Sequence, residues 1–140
     1  MHRVIDISIH SVQKMLRMDI DHLYTTTGKS HSRVVIDSMT ALKMFGMKGE
    51  DQRILIQSFM RFLAEMEVTA LIITQIPHPD EIDTAVYLSR GEIRLHKSNR
   101  KGVASRGVGI EKFRGSDFDE HIRPLKITPK GIRVDSNGSF

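Results

Sequence analysis

Cysteine is absent from this chain of 140 residues, which excludes disulfides, thiolate metal sites and a cysteine nucleophile. The histidines follow none of the spacings that bind a metal, and no Ser-His-Asp set can be assembled from their order. A chain of this length buries enough apolar surface to fold without such supports. We therefore do not expect a zinc protein or a hydrolase that uses a Ser-His-Asp triad.

Long apolar runs are also missing. No segment approaches the roughly 20 apolar residues of a membrane-spanning helix, and Asp6 falls where a secretory signal would keep an apolar segment. Apolar residues make up 39% of the chain and charged residues 27%, which is typical of a globular protein. We expect a cytoplasmic protein that has no membrane partner.

A complete phosphate loop is the third absence. Gly28-Lys29-Ser30 repeats the end of the GxxxxGK[ST] motif, whose glycines, lysine and hydroxyl hold phosphates and Mg²⁺. The first glycine of that motif would fall at Leu23, and the segment follows a predicted helix instead of opening one. The residues therefore predict an ordinary loop between two elements.

Apolar periodicity indicates the fold of the first half. Three- and four-residue steps predict helices from about residue 10 to 24 and from 52 to 66. Continuous apolar runs at 34–37 and 68–74 predict strands on either side of the second helix. This order is typical of a right-handed βαβ unit in a parallel sheet that is covered on both faces.

The pattern of apolar residues changes in the second half of the chain. Four short segments alternate apolar and polar residues between turns, namely 92–96, 108–113, 123–128 and 131–134. They predict half-exposed antiparallel strands at the edge of the sheet. The predicted fold class is thus α/β, with a partial parallel sheet and flanking helices followed by an antiparallel β meander. We predict one domain, composed of a helix and loop at 1–32, a strand-helix-strand unit at 33–76 and the meander at 77–140.

Polar residues follow both predicted parallel strands. Asp37 and Ser38 end the first strand, and Thr74 and Gln75 end the second. Ligands bind open parallel sheets outside the carboxyl ends of the strands. Asp37 is therefore placed to hold an Mg²⁺-bound water, and Gln75 to sense a γ-phosphate or orient a water. A capping role for Asp37 and a plain strand-to-loop role for Gln75 explain the same pattern.

Basic residues outnumber acidic ones by 21 to 17, and the net charge of +4 permits a polyanionic partner. Lys112 and Arg114 alternate along a predicted strand, so both charges can converge on one phosphate group. Four other basic residues surround a Gly- and Ser-bearing turn: Lys97, Arg100, Lys101 and Arg106. Arg100, Lys101 and Arg106 are candidate DNA contacts, although a solvated hairpin has the same composition.

In their order, these segments resemble the C-terminal half of a RecA-superfamily ATPase domain of the archaeal KaiC-like and RadA-like branch. Residues 33–42 look like the Walker B strand of that family, and residues 71–75 look like its sensor strand. The most specific similarity is Glu-Lys-Phe-Arg-Gly-Ser at 111–116, followed by 122–132, which resembles the closing segment of KaiC-like domains. The resemblance covers about residues 10–135.

The resemblance implies an ATPase that uses ATP and Mg²⁺. Asp37 would be the acid of the Mg²⁺ site and Gln75 the sensor, with Ser38 and Thr74 beside the nucleotide. The phosphate loop and the catalytic glutamates of the family belong to its N-terminal half. The chain alone is therefore not expected to hydrolyse ATP.

Assembly is the second implication of the resemblance. Lys112 and Arg114 would reach the nucleotide of a neighbouring subunit in a homo-oligomer or ring, as an arginine finger does. Association with a phosphate-loop-bearing half is the other arrangement that completes the ATP site. The strand at 34–37 would offer an unpaired edge for such an association.

Three functions stay open at this point. The chain is a portion of a KaiC-like ATPase, or a RadA-like recombination and repair module, or a scaffold or regulatory partner with no nucleotide of its own. In the second case the loops at 76–89 and 98–106 would face DNA. The resemblance favours the first.

Overall fold

The computed structural model describes residues 9–28, 33–44, 50–76, 83–100 and 103–140. The chain divides into two compact units, Met1–Leu88 and Ser89–Phe140, and the prediction of a single domain stays a prediction. In the first unit the elements are α1 (Ile9–Thr27), β1 (Arg33–Asp37), α2 (Met39–Met44), α3 (Glu50–Glu65), β2 (Thr69–Ile73) and α4 (Thr84–Leu88). None of the helices in these ranges is long and apolar enough to cross a membrane.

The core of the first unit lies along one face of α3. Ile56, Phe59 and Leu63 recur at three- and four-residue steps and are almost completely buried. Phe59 stacks on Phe62 with ring centroids 6.3 Å apart, and the guanidinium of Arg17 from α1 lies 5.5 Å from the centroid of the Phe62 ring. The two helices predicted from periodicity, α1 and α3, are thus confirmed.

Gly28 terminates α1 and does not begin a phosphate loop. Its backbone N–H donates to Tyr24 O at 2.9 Å, and its φ of 64° is the left-handed conformation that commonly ends a helix. A phosphate loop would instead open a helix. The prediction of an ordinary loop agrees with this geometry at Gly28, while Lys29 and Ser30 lie outside the described residues.

Strands β1 and β2 pair in parallel, as predicted, from Arg33 opposite Thr69 to Asp37 opposite Ile73. Only one face of this pair packs against the core. On the other face Val35, Leu71 and Ile73 are 66%, 55% and 42% exposed. The expectation that both faces are covered is therefore wrong for the described residues, because the helices described in this unit pack against one face only.

Two short helices, α2 and α4, are absent from the prediction. Each contains only five or six residues. Such a length is too short for the periodicity that identifies a helix from the sequence. Both begin just after a residue that caps them, Ser38 for α2 and Asp83 for α4.

The second unit is an antiparallel meander, as predicted, with its strands in the order β3, β4, β5 and β6. They comprise β3 (Gly91–Arg100), β4 (Val103–Phe113), β5 (Arg123–Thr128) and β6 (Gly131–Val134). The prediction placed these strands at the edge of the parallel sheet. In the described residues they form a sheet of their own, since the hydrogen bonds of each strand go to its neighbour in the chain.

Strands β3 and β4 extend further than predicted. Their pairing continues to Arg100 opposite Val103, so Lys97 and Arg106 lie on strands and not in a turn. Cross-strand pairing has outweighed the turn preference of the serine and asparagine residues in this segment. Lys101 lies outside the described residues.

The connection between β4 and β5 is held by the carboxylate of Asp119. It accepts hydrogen bonds from Arg123 Nε at 2.8 Å, from His121 N at 3.0 Å and from the His121 ring at 2.8 Å. The bond from Arg123, followed by those from His121, holds the pKa of the Asp119 carboxyl well below its usual range. These contacts hold in place the segment that leads into β5.

Candidate functional site

The carboxyl ends of β1 and β2 bring the predicted nucleotide-site residues to one end of the sheet. Asp37 is paired with Ile73 in the parallel register, so Thr74 and Gln75 follow directly beside it. The backbone N–H of Gln75 donates to Thr40 Oγ1 at 2.9 Å. This bond ties the segment after β2 to the first turn of α2, which itself follows Asp37. Two separate segments therefore meet where the sequence predicts a ligand crevice.

Asp37 and Ser38 have different surroundings. Asp37 is exposed, at the end of the uncovered sheet face. The bond that joins it to Ser38 is a cis peptide. Ser38 caps α2, because its Oγ and its carbonyl oxygen accept from Ala41 N at 3.3 and 3.1 Å. Ser38 is thus the residue that caps α2, and the Asp37 carboxylate stays accessible.

Thr74 belongs to a hydrogen-bond network that the sequence does not predict. Its hydroxyl donates to Asp83 Oδ2 at 3.0 Å. The other carboxylate oxygen, Oδ1, accepts from Ala85 N at 2.8 Å and from Val86 N at 3.3 Å, so Asp83 is the N-cap of α4. Asp83 is buried, with 9% of its surface exposed. One carboxylate therefore fixes both the start of α4 and the Thr74 side chain.

Asp83→Ala is expected to lower the free energy of unfolding of the first unit by about 2–3 kcal/mol, because a helix cap is lost and the Thr74 hydroxyl loses its acceptor. Urea unfolding followed by the helical circular dichroism signal measures the loss. Asp83→Asn keeps a capping oxygen and is the matched variant, with a smaller expected loss. Equal unfolding midpoints for Asp83→Ala and the unmodified chain would contradict the role assigned to this network.

In the second unit, Lys112 and Arg114 lie near the end of β4. Lys112 is paired with Glu92 of β3 beside a β-bulge. The pKa of Lys112 is lowered, first by burial of its ammonium group and then by the positive charge of Arg114, while Glu92 acts in the opposite direction. Glu92 itself accepts from Arg94 at 2.6 and 3.1 Å. The positive charge of Arg114 therefore acts on Lys112, and the convergence of the two side chains on one phosphate stays a prediction.

The other predicted basic residues lie along the β3–β4 hairpin. Lys97 and Arg106 are directly opposite each other on the two strands, and both are exposed. Arg100 is at the far end of the same ladder, paired with Val103. The hairpin therefore carries a like-charge pair in the half of its ladder that is nearer the turn.

A comparison with protein families decides the relationship of this chain. The model of the KaiC ATPase family matches residues 4–139, almost the whole sequence. The chain belongs to the KaiC family of ATPases. This result confirms the family that was predicted from the resemblance of residues 33–42 and 71–75.

Among solved structures, this KaiC-family chain is similar to the KaiC-like protein PH0186 of the hyperthermophilic archaeon Pyrococcus horikoshii OT3. The TM-score is 0.74 at 22% identity, over 92% of this chain and 57% of that one. The similarity supports the fold, and the chain spans little more than half the length of this relative. No curated protein matches the sequence.

Sequence reasoning missed two residues at this site of the KaiC-family chain, Thr40 and Asp83. Asp83 carries a local signal in the sequence, since aspartate is a preferred residue just before the first turn of a helix. Thr40 carries none, because its bond to Gln75 spans 35 positions in the chain. The two residues come together only in the tertiary structure, where β1 and β2 pair in parallel.

Proposed function

We propose that this chain contributes one part of an ATP site in a KaiC-type assembly. Asp37 would hold Mg²⁺ through a bound water, and Gln75 would face the γ-phosphate. The single observation that carries the proposal is the parallel register, which sets the exposed Asp37 beside the segment that holds Gln75. Ligands of open parallel sheets bind at this end of the strands.

The residues at this edge suit Mg²⁺ bound together with phosphates. Mg²⁺ keeps several waters and takes one or two carboxylates plus phosphate oxygens, in preference to a cage made of protein ligands. In the described ranges no group of three acidic or histidine side chains is positioned to bind a metal. The exposed carboxylate of Asp37 would be the ligand that this chain supplies. The Thr74 hydroxyl donates to Asp83 and still has lone pairs that can accept.

Lys112 and Arg114 would serve the transfer step. In ATP hydrolysis a water oxygen bonds to the γ-phosphorus, the bond to the β-phosphate oxygen breaks, and ADP and phosphate leave. Negative charge spreads over the transferred group, and a cation positioned beforehand lowers the barrier. We propose that these two side chains provide this charge to a nucleotide held by a neighbouring subunit.

A phosphate-loop-bearing partner would complete the site. The chain spans 57% of the length of PH0186, and none of its described residues forms a phosphate loop. The uncovered face of β1 and β2, with Val35, Leu71 and Ile73, is a surface that a parallel sheet normally buries against helices. We propose that the partner covers this face and brings the loop to Asp37.

The experiment combines this chain with a KaiC-type polypeptide that carries the GxxxxGK[ST] loop, and measures ATP hydrolysis with Mg²⁺. We expect hydrolysis by the complex and none by either part alone. Asp37→Asn should remove it, whereas Asp51→Asn, an exposed acid in the first turn of α3, should leave it unchanged. A complex that forms without hydrolysing ATP would overturn the proposal and favour a scaffold or regulatory role.

A second candidate function is binding of single-stranded DNA. The observation that favours it is the exposed Lys97–Arg106 pair, because like charges directly across two strands are destabilising unless an anion compensates them. A polynucleotide backbone is such an anion. Binding that weakens steeply with salt, and is lost in the Lys97→Ala, Arg106→Ala double variant, would support this function.

A further inference from the structure

The backbone of Gln75 is held by a second segment of the chain. Strand β2 ends at Ile73, so the parallel ladder that pairs Ile73 with Asp37 does not extend to Gln75. Beyond the ladder, the Gln75 N–H donates to Thr40 Oγ1 at 2.9 Å. The Thr40 hydroxyl therefore holds the chain at the position where the ladder has ended.

Thr40 can hold Gln75 because its own position is fixed. It lies in the first turn of α2, directly after Met39, which is fully buried in the apolar cluster of the first unit. Ser38 caps this helix, since its Oγ accepts from Ala41 N at 3.3 Å. A β-branched side chain also has few χ1 rotamers. The Thr40 hydroxyl is thus an acceptor whose place is set before any ligand binds.

The residue before Gln75 is held as well. The Thr74 hydroxyl donates to Asp83 Oδ2 at 3.0 Å, and Asp83 is buried just before α4. Neither this bond nor the one to Thr40 involves the Gln75 side chain, and Gln75 is exposed. The backbone is therefore fixed from two sides, while the side-chain amide of Gln75 stays accessible to a ligand.

The bond to Thr40 affects position more than stability. Because Gln75 is exposed, water can replace the Thr40 hydroxyl as the acceptor of its N–H at small cost. A misplacement of about 1 Å, by contrast, can reduce the rate of a reaction by about 10²-fold. Loss of the Thr40 hydroxyl would therefore leave the unit folded and the Gln75 backbone free to move.

We propose that Thr40 is a positioning residue: its hydroxyl fixes the Gln75 backbone so that the side-chain amide of Gln75 meets the γ-phosphate or the attacking water. The reaction that it serves rests on the proposed function. Thr40 does not touch the substrate in this role and acts only through Gln75. A change at Thr40 should therefore lower the turnover of ATP more than its binding.

The first experiment uses this chain by itself and measures the exchange of the Gln75 amide hydrogen with deuterium by nuclear magnetic resonance. Thr40→Val keeps the shape of the side chain and removes the acceptor, so we expect exchange about fivefold faster, the effect of losing one hydrogen bond. Thr40→Ser keeps the hydroxyl and should retain the slow exchange. Thr69→Val is the matched control, because it removes the hydroxyl of an exposed residue at the opposite end of β2 and should leave the rate unchanged.

The second experiment measures steady-state ATP hydrolysis by the complex with the KaiC-type polypeptide that carries the phosphate loop. We expect Thr40→Val to lower kcat about 10- to 100-fold and to change KM little, because the misplaced amide acts on the transition state more than on bound ATP. Thr40→Ser should restore most of the turnover, and Thr69→Val should match the unmodified complex. The urea unfolding midpoint of Thr40→Val should stay close to that of the unmodified chain, which separates misplacement from a loss of folded protein.

Four results would overturn the role of Thr40. They are equal exchange rates in Thr40→Val and the unmodified chain, unchanged turnover of the Thr40→Val complex, a loss in Thr40→Ser as large as that in Thr40→Val, and a Thr40→Val chain that no longer folds. An unmodified complex that does not hydrolyse ATP would overturn the proposed function, and the role of Thr40 in turnover would fall with it. The exchange rates would still show whether Thr40 holds the Gln75 backbone, so the two failures are distinguishable.

Discussion

Arg114→Ala is expected to reduce ATP turnover by the complex with the phosphate-loop partner by about 10²- to 10³-fold, the effect of removing one preorganised group that stabilises transition-state charge. The loss should fall on kcat more than on KM, because the guanidinium would act mainly on charge that develops during transfer. The Arg114 backbone N–H still donates to Arg90 O in the variant, so the turn keeps its form. Steady-state kinetics over a range of ATP concentrations measure both constants.

The matched control for this experiment is Arg133→Ala. Arg133 is an exposed arginine on β6, in the same unit, and removing it changes the net charge by the same amount. Its turnover should match that of the unmodified complex. A complex with Arg114→Ala that turns over at the unmodified rate would exclude Arg114 from the reaction. Mixing Arg114→Ala chains with Asp37→Asn chains adds a test of action between subunits, because mixed assemblies should recover part of the turnover.

Phe59→Ala is expected to destabilise the first unit by about 3–5 kcal/mol. Phe59 is fully buried, with 0% of its surface exposed, and it stacks on Phe62 in the only buried apolar cluster of the described residues. Its removal leaves a cavity that Ile56 and Met39, themselves almost completely buried, cannot fill without moving. A loss of this size is a large part of the stability of a small folded unit.

Urea unfolding followed by helical circular dichroism measures this loss selectively, because every described helix lies in the first unit. Ile54→Ala is the matched control. Ile54 is on the same helix and 56% exposed, so we expect a change within about 0.5 kcal/mol. Similar midpoints for the two variants would show that α3 does not organise the core.

Much of the fold was predictable because the signals are local. Three- and four-residue apolar steps identify α1 and α3, and continuous apolar runs identify β1 and β2. Alternation identifies the four strands of the meander. In each case a side-chain period of a few residues determines the element, and no distant contact is needed.

The remaining features depend on contacts between distant residues. The extension of β3 and β4 through a polar segment follows from cross-strand pairing, which overrides local turn preference. The uncovered face of β1 and β2 also escapes prediction, since a run of apolar residues is the same whether one face or both faces are buried. Helices α2 and α4 are too short to show a period.

The candidate site also contains some residues that the sequence predicts and others that it does not. Asp37 and Gln75 are predictable from sequence, because each directly follows an apolar strand and parallel strands end at one edge. Thr40 and Asp83 are not, since their bonds to Gln75 and Thr74 depend on the register of β1 against β2 and on the position of α4. The backbone bond from Arg114 N to Arg90 O likewise depends on antiparallel pairing across 24 positions of the chain.

The sequence by itself determined the family, the two long helices, the strands and the residues that end the two parallel strands, because each is expressed in neighbouring residues. Only the tertiary structure decided which groups meet. It brought Thr40 to the backbone N–H of Gln75. It also made Asp83 both the N-cap of α4 and the acceptor of the Thr74 hydroxyl. Hydrogen bonding and burial act between groups that are close in space, and the register of the strands, not their order in the chain, sets that proximity.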